Sequence, residues 1–133
     1  MRTSLVIVTY ERPAALKRVL ASVGAQTQAP DEVIVADDGS GPALAAVVEA
    51  FKKRLSSGVT FVRQEHSGFR AGRMRNLAIA RCTGDYILLL DGDMQHLPNE
   101  AAQLLATAGE TGADVVLGER RFFRTSMPAS RYH

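Results

Sequence analysis

Two carboxylates one residue apart, Asp91 and Asp93, follow the apolar run Tyr86-Ile87-Leu88-Leu89-Leu90, with Gly92 between them. Acidic oxygens held this close suit a hard divalent cation bound to phosphate oxygens. The glycine removes a side chain and lets a ligand approach the backbone. Two other places have the same character. Thr9-Tyr10 follows Ser4-Leu5-Val6-Ile7-Val8, and Asp37-Asp38-Gly39-Ser40-Gly41 follows Glu32-Val33-Ile34-Val35-Ala36. Taken alone, Asp91-Gly92-Asp93 is also what a solvated Asp-Gly turn after a strand looks like. What separates the readings is whether the three clusters meet.

The elements that must position them can be read from hydrophobic periodicity. Tyr86 to Leu90 reads as a strand covered on both faces, as in a parallel sheet flanked by helices. Ser4 to Val8 reads as a central strand, and Pro13 fits the first turn of a helix. Leu16, Val19, Leu20 and Val23 recur at i, i+3, i+4 and i+7 and give that helix one apolar face. A second strand covers Glu32 to Ala36. Pro42 opens a second helix with the face Leu44, Val47, Val48, Phe51 and Leu55. Val59-Thr60-Phe61-Val62 is a third, shorter strand. The loop Gln64-Glu65-His66-Ser67-Gly68 leads to a helix around Gly72 to Arg81, with Met74, Leu77, Ala78 and Arg81 as its face. A last helix runs from about Pro98 to Ala108, with Ala101, Leu104, Leu105 and Ala108 inward, and Val115-Val116-Leu117 makes a final strand. Strand and helix alternate throughout, which predicts an α/β three-layer sandwich on a mostly parallel sheet. In such a sheet the carboxyl ends of the strands share one edge, so the three clusters can converge on one cleft.

Composition excludes several classes. The chain has 133 residues, 46% hydrophobic, enough for one domain with a real core. No apolar run approaches the roughly 20 residues of a membrane span, and Met1 to Ser4 fits no signal peptide, so the expected location is cytoplasmic. Cys82 is the one cysteine, which rules out an internal disulfide or a cysteine-based metal cluster. The net charge is +2, and the arginines fall in two clusters, Arg70/Arg73/Arg75 and Arg120/Arg121/Arg124. Without interleaved aromatics these suit a diphosphate, and no nucleic-acid partner is expected. No G-x-G-x-x-G opens the first helix and no G-x-x-x-x-G-K-[ST] occurs, which disfavours a nicotinamide dehydrogenase or a P-loop NTPase. No G-x-S-x-G elbow is present. The histidines His66, His96 and His133 are scattered, though His96 lies just past the acid pair.

Four segments, in order, carry a resemblance. Val6-Ile7-Val8-Thr9-Tyr10-Glu11-Arg12, Val33-Ile34-Val35-Ala36-Asp37-Asp38-Gly39-Ser40, Arg75-Asn76-Leu77-Ala78-Ile79-Ala80 and Gly84-Asp85-Tyr86 through Leu90-Asp91-Gly92-Asp93 resemble the family 2 glycosyltransferases of the GT-A fold. The Gly68-Phe69-Arg70 element and Asp91-Gly92-Asp93-Met94 are most similar to members with a galactosyltransferase-like C-terminal half. The resemblance implies a metal-dependent, inverting transfer of a sugar from a nucleotide-diphosphate donor, with UDP-sugars favoured, to a saccharide or lipid-linked acceptor, as in cell-envelope polysaccharide synthesis.

It also implies roles. The nucleotide-sugar site would comprise Thr9, Tyr10, Glu11, Arg12, Asp37, Asp38, Gly39, Arg70, Arg73, Arg75, Asn76, Asp91 and Gly92. Tyr10 would stack on the base and Asp38 would accept a hydrogen bond from it. Asp37 would orient the loop or reach the ribose. Arg70, or alternatively Arg73, would sit beside base and diphosphate, and Arg75-Asn76 would steady the central loop. Asp91 would hydrogen-bond the ribose or the sugar, and Asp93, with Asp91, would hold Mn²⁺ or Mg²⁺, which neutralises the departing diphosphate.

An inverting displacement also needs a base for the acceptor hydroxyl. In the family that carboxylate lies further along than His133, and Glu119 is the resident substitute. Residues 1–133 are thus expected to form a single nucleotide-sugar-binding domain lacking the C-terminal acceptor part. Peripheral membrane contact and self-association are compatible with that expectation. The rivals are a non-catalytic nucleotide-sugar-binding or assembly module and, less favoured, a nucleotidyltransferase.

Overall fold

The β-branched runs Val6-Ile7-Val8 and Val33-Ile34-Val35 form the two central strands of a parallel sheet, as their propensity and full burial require. The computed structural model describes residues 2–68, 70–92 and 99–118. Strand β1 (Thr3–Thr9) pairs with β2 (Glu32–Asp37) on one side and with β4 (Tyr86–Asp91) on the other; β3 (Val59–Arg63) lies outside β2. The order is β3-β2-β1-β4, and all three pairings are parallel.

Helices cover the two faces of the sheet. Helix α1 (Pro13–Gly24) and helix α2 (Pro42–Lys52) each start on the expected proline, whose fixed φ and missing N–H cost nothing in a first turn. Their apolar faces, Leu16, Val19, Leu20 and Val23 with Leu44, Val48 and Phe51, pack against Leu5, Ile7, Val33 and Val35. On the opposite face, Met74 and Ala78 of α3 (Ala71–Ile79) pack on Val6, Ile34, Ala36 and Val62. Each fully buried Leu, Ile or Met side chain contributes about 1.5–3 kcal/mol through burial, so these layers fix the sheet edge on which the strands end. Helix α4 (Glu100–Thr111) runs from the end of one compact unit, residues 1–102, into a second that begins at Gln103. Among the described residues no helix is long and apolar enough to cross a membrane.

Three expectations change. Among the described residues strand β4 is not covered on both faces: Tyr86, Leu88 and Leu90 are half-buried, whereas Ile87 and Leu89 are 38% and 53% exposed. Its register with β1 puts Leu89 beside Val6 on the α3 side, but α3 packs over β2, β1 and β3 and leaves β4 at the open edge of the described sheet. An apolar run marks a strand without telling how many of its faces are covered. Second, Val115-Val116-Leu117 forms no strand; Val115 and Leu117 are largely exposed. Third, α3 buries only the narrow stripe of Met74 and Ala78, while Leu77 and Arg81 are exposed.

The amino ends of the strands are tied by one carboxylate. Glu32 accepts hydrogen bonds from Ser4 Oγ, from Thr83 N at 2.5 Å and from Thr83 Oγ1 at 2.9 Å, with the Arg2 guanidinium 4.0 Å away. Burial pushes this carboxyl up, but the Ser4 and Thr83 hydrogen bonds together with Arg2 outweigh it and hold Glu32 below the usual carboxylate range. A depressed folded-state value stabilises the fold at pH above the unfolded carboxyl value, and that stability is lost as pH falls through the folded value. The wild type is therefore expected to lose more stability than Glu32→Gln between about pH 7 and about pH 3. Urea midpoints at both pH values check this; parallel losses in the two proteins would remove Glu32 as the source.

Candidate functional site

The register places the polar strand ends in one row. Asp91 of β4 lies level with Val8, Thr9 with Asp37, and Asp37 with Arg63. Backbone pairing continues past the strands through Asp38 N to Thr9 O (3.1 Å) and Gln64 N to Asp37 O (3.1 Å). The three clusters expected to converge therefore do share one edge, and the end of β3 joins them.

Asp37 is fully buried and holds the loops in shape. It accepts the Ser40 backbone N–H at 3.0 Å and the Ser40 hydroxyl at 2.5 Å, and its Oδ2 lies 3.2 Å from Arg63 Nε. Ser40 Oγ accepts the Glu11 N–H at 2.7 Å, and Glu11 returns its carboxylate to Gly41 N at 2.5 Å. Glu11 takes a left-handed φ of 50° within this clasp. Of the two roles considered for Asp37, orienting the loop is the one its contacts match. Glu11 locks the same two loops together, and Arg12 caps α1, its carbonyl accepting Leu16 N at 3.0 Å.

Asp38, also buried, sits between Gln64 and His66. Gln64 Nε2 donates to its Oδ1 at 2.6 Å, and His66 Nδ1 lies 3.0 Å from its Oδ2. Gln64 is itself fixed, because Arg73 donates to its Oε1. Arg70 donates to the Glu65 carbonyl, while its buried Nε has no partner among the described residues. Both arginines thus brace the Gln64–Glu65 segment. The Tyr10 ring stacks on the His66 ring with centroids 4.1 Å apart and planes 13° from parallel. Gly39, at φ 91°, makes room for this segment: a Cβ there would lie 2.6 Å from His66 N and 2.9 Å from Gln64 O. Gly39, Arg63, Gln64, Glu65 and His66 line an open groove of about 450 Å³, within the usual size range of ligand pockets.

At the other end of the row, Arg75 reaches Asp91 Oδ1 at 3.2 Å, across a pair that is open to solvent. Gly92 is pressed against β1; a Cβ there would lie 2.6 Å from Val8 O and 3.1 Å from Thr9 Oγ1. The Thr9 hydroxyl is buried with no partner among the described residues. Asn76 is exposed on α3. An exposed carboxylate at a strand end, bridged to Arg75 and followed by a glycine against the Thr9 hydroxyl, fits a hard cation shared with phosphate oxygens, which needs only one or two protein carboxylates. Among the described residues no three His, Cys, Asp or Glu side chains group as a metal site. Asp93, Met94, His96, Glu119, Arg120, Arg121, Arg124 and His133 lie outside the described residues.

Motif and periodicity do not mark Arg63, Gln64 or His66 as site residues. The signal was available: the rule that strand ends share an edge applies to the third strand as much as to the first, second and fourth.

A family model described as "Glycosyl transferase family 2" matches residues 4–132. The hyaluronan synthase of Pasteurella multocida is 34% identical over 123 residues, which cover 92% of this chain and 12% of that protein. The validoxylamine A glucosyltransferase of Streptomyces hygroscopicus subsp. limoneus is 37% identical over 118 residues, 86% of this chain and 26% of that one. Among solved structures, S. aureus TarS superposes with a TM-score of 0.78 at 24% identity, over 93% of this chain and 23% of that chain. TarS residues 1–349 in complex with UDP give 0.76 at 25% identity, over 86% and 34%. The chain thus spans about an eighth to a quarter of the length of the two curated relatives. The architecture, four parallel strands between helices, is that of the GT-A fold.

Proposed function

Since the chain belongs to glycosyl transferase family 2, we propose that it binds a nucleotide-diphosphate sugar along the carboxyl edge of its sheet and serves sugar transfer from that donor. The observation that carries this reading is Asp38: a buried carboxylate just past a strand end, whose Oδ2 meets only the half-exposed His66 ring, with an aromatic ring, Tyr10, stacked on that same histidine. A planar base with an N–H donor needs those two things. Asp38 takes the N–H, as it takes donors now, and Tyr10 supplies a stacking face worth about 0.5–1.5 kcal/mol. The 25% identical TarS structure in complex with UDP supports a uridine nucleotide.

The diphosphate then lies toward Asp91, where the Thr9 hydroxyl has capacity for a further hydrogen bond. Asp91 and Asp93 would hold Mn²⁺ or Mg²⁺, and the cation supplies charge neutralisation for the leaving diphosphate. The reaction proposed is an inverting displacement. The acceptor hydroxyl oxygen bonds to the anomeric carbon, the bond to the diphosphate oxygen breaks, and a carboxylate takes the hydroxyl proton. Glu119 is the candidate for that base, and a saccharide or lipid-linked hydroxyl is the acceptor. The hyaluronan synthase and validoxylamine A glucosyltransferase relatives support the transferase reading.

Thermal unfolding with UDP, GDP and CDP, each with and without Mn²⁺, tests the proposal. A nucleotide at about 100 times its Kd adds about 2.7 kcal/mol of stability, so UDP with metal is expected to raise Tm by several degrees. Asp93→Ala is expected to remove the metal-dependent part of that rise and leave the ligand-free Tm in place. If no nucleotide raises Tm in the presence of metal, the donor-site reading fails.

A further inference from the structure

The seat assigned to the base is already filled by a side chain of the protein. His66 is a planar, nitrogen-bearing aromatic ring; it stacks on Tyr10 at 4.1 Å and 13° and meets Asp38 Oδ2 through Nδ1 at 3.0 Å. An ionised carboxylate only accepts hydrogen bonds, so Nδ1 carries the hydrogen. A uracil ring placed to stack on Tyr10 and donate N3–H to Asp38 would make the same two contacts. We infer that His66 is a placeholder for the nucleobase, which must swing out when a uridine nucleotide enters; this rests on the nucleotide-donor reading above.

Three observations make the exchange local and selective. The His66 backbone lies close against Gly39, where a Cβ would come within 2.6 Å of its N. The His66 ring, by contrast, is over one-third exposed, so rotation of the side chain frees the seat without moving the loop. Gln64, locked by Arg73, holds Asp38 Oδ1, which leaves Oδ2 as the oxygen His66 gives up. A base edge with one N–H donor flanked by carbonyls, as in uracil, suits a single free oxygen. Guanine, with two adjacent donors, is built for both oxygens of a carboxylate and finds one of them taken.

The placeholder keeps Asp38 hydrogen-bonded and Tyr10 stacked while no nucleotide is present, so neither group is left bare. It also weakens binding, because the ligand must replace contacts the apo protein already has. Removing a stack worth about 0.5–1.5 kcal/mol predicts that His66→Ala binds UDP about twofold to twelvefold more tightly than wild type.

The test is an NMR titration of the whole chain with UDP and Mg²⁺, read at the imidazole protons and paired with calorimetry on wild type and His66→Ala. In the free protein the His66 ring protons, assigned by their loss in the variant, sit upfield because of the Tyr10 ring. The expected result is that UDP returns them toward ordinary histidine positions, that His66→Ala binds UDP more tightly, and that GDP binds both proteins more weakly than UDP does. UDP binding that shifts the Tyr10 and Asp38 amides while His66 stays upfield would overturn the placeholder and leave the donor site standing. So would weaker UDP binding by His66→Ala. No UDP binding by either protein would overturn the donor reading, and the placeholder with it.

Discussion

Asp38→Asn is expected to lower UDP affinity by roughly 100-fold while leaving the folded protein nearly as stable as wild type. The reasoning starts from Gln64, whose Oε1 is held by Arg73, so that its Nε2 must point at position 38 as a donor. An asparagine there has to turn its oxygen to Gln64, which places its NH₂ where Oδ2 stood. His66 can adapt by moving its hydrogen to the other ring nitrogen and accepting from that NH₂. Uracil cannot, since its N3–H remains a donor and would face another donor. The variant loses a hydrogen bond to a charged acceptor, worth about 1.5–3 kcal/mol, which is roughly 10- to 150-fold in Kd. The donor–donor contact puts the effect at the upper end. Calorimetry with UDP and a urea midpoint measured side by side check both halves. A Kd within about twofold of wild type would remove Asp38 from base recognition.

The contrast between Asp38 and its neighbour shows where the sequence was legible. Hydrophobic periodicity places the starts and buried faces of α1 and α2, because Leu16, Val19, Leu20 and Val23, and likewise Leu44, Val48 and Phe51, repeat at the helical period over a buried surface, although α2 ends at Lys52, short of Leu55. Alternation of strand and helix then put Thr9, Asp37 and Asp91 on one edge, as the register bears out. Periodicity reports which side chains want burial, and it is silent about what will bury them. That is why the apolar pattern predicts a β4 covered on both faces and a strand over Val115 to Leu117. The same silence hid Arg63, Gln64 and His66. These are polar residues in a loop without period, whose importance depends on β3 pairing beside β2 and on Gly39 letting the loop approach. The adjacent acids Asp37-Asp38 were legible as a pair, while their division of labour was not. A strand sends successive side chains to opposite sides, and only the packed structure shows that Asp37 turns to Ser40 and Arg63 while Asp38 turns to Gln64 and His66.

Asp37→Ala is accordingly expected to unfold the protein more readily rather than simply weaken a ligand contact, with a loss of about 2–4 kcal/mol. The carboxylate is fully buried, and its removal strands the Ser40 N–H and hydroxyl, two donors that burial keeps from water. Each such stranded group costs about 1–3 kcal/mol. The Arg63 pair adds little, because that side chain is 45% exposed and can return to solvent. The damage extends along the clasp: Ser40 Oγ would turn away from Glu11 N, and the Tyr10–Glu11 turn would lose its tie to the second loop. UDP affinity is therefore expected to fall as well, through the loops that the buried Asp37 carboxylate holds. Asp37→Asn, which keeps one acceptor oxygen for Ser40, should lose less than Asp37→Ala, and Arg63→Ala should lose least. Urea midpoints for the three variants test that order. Equal losses for Arg63→Ala and Asp37→Ala would mean that the ion pair, and not the Ser40 hydrogen bonds, holds the two loops together.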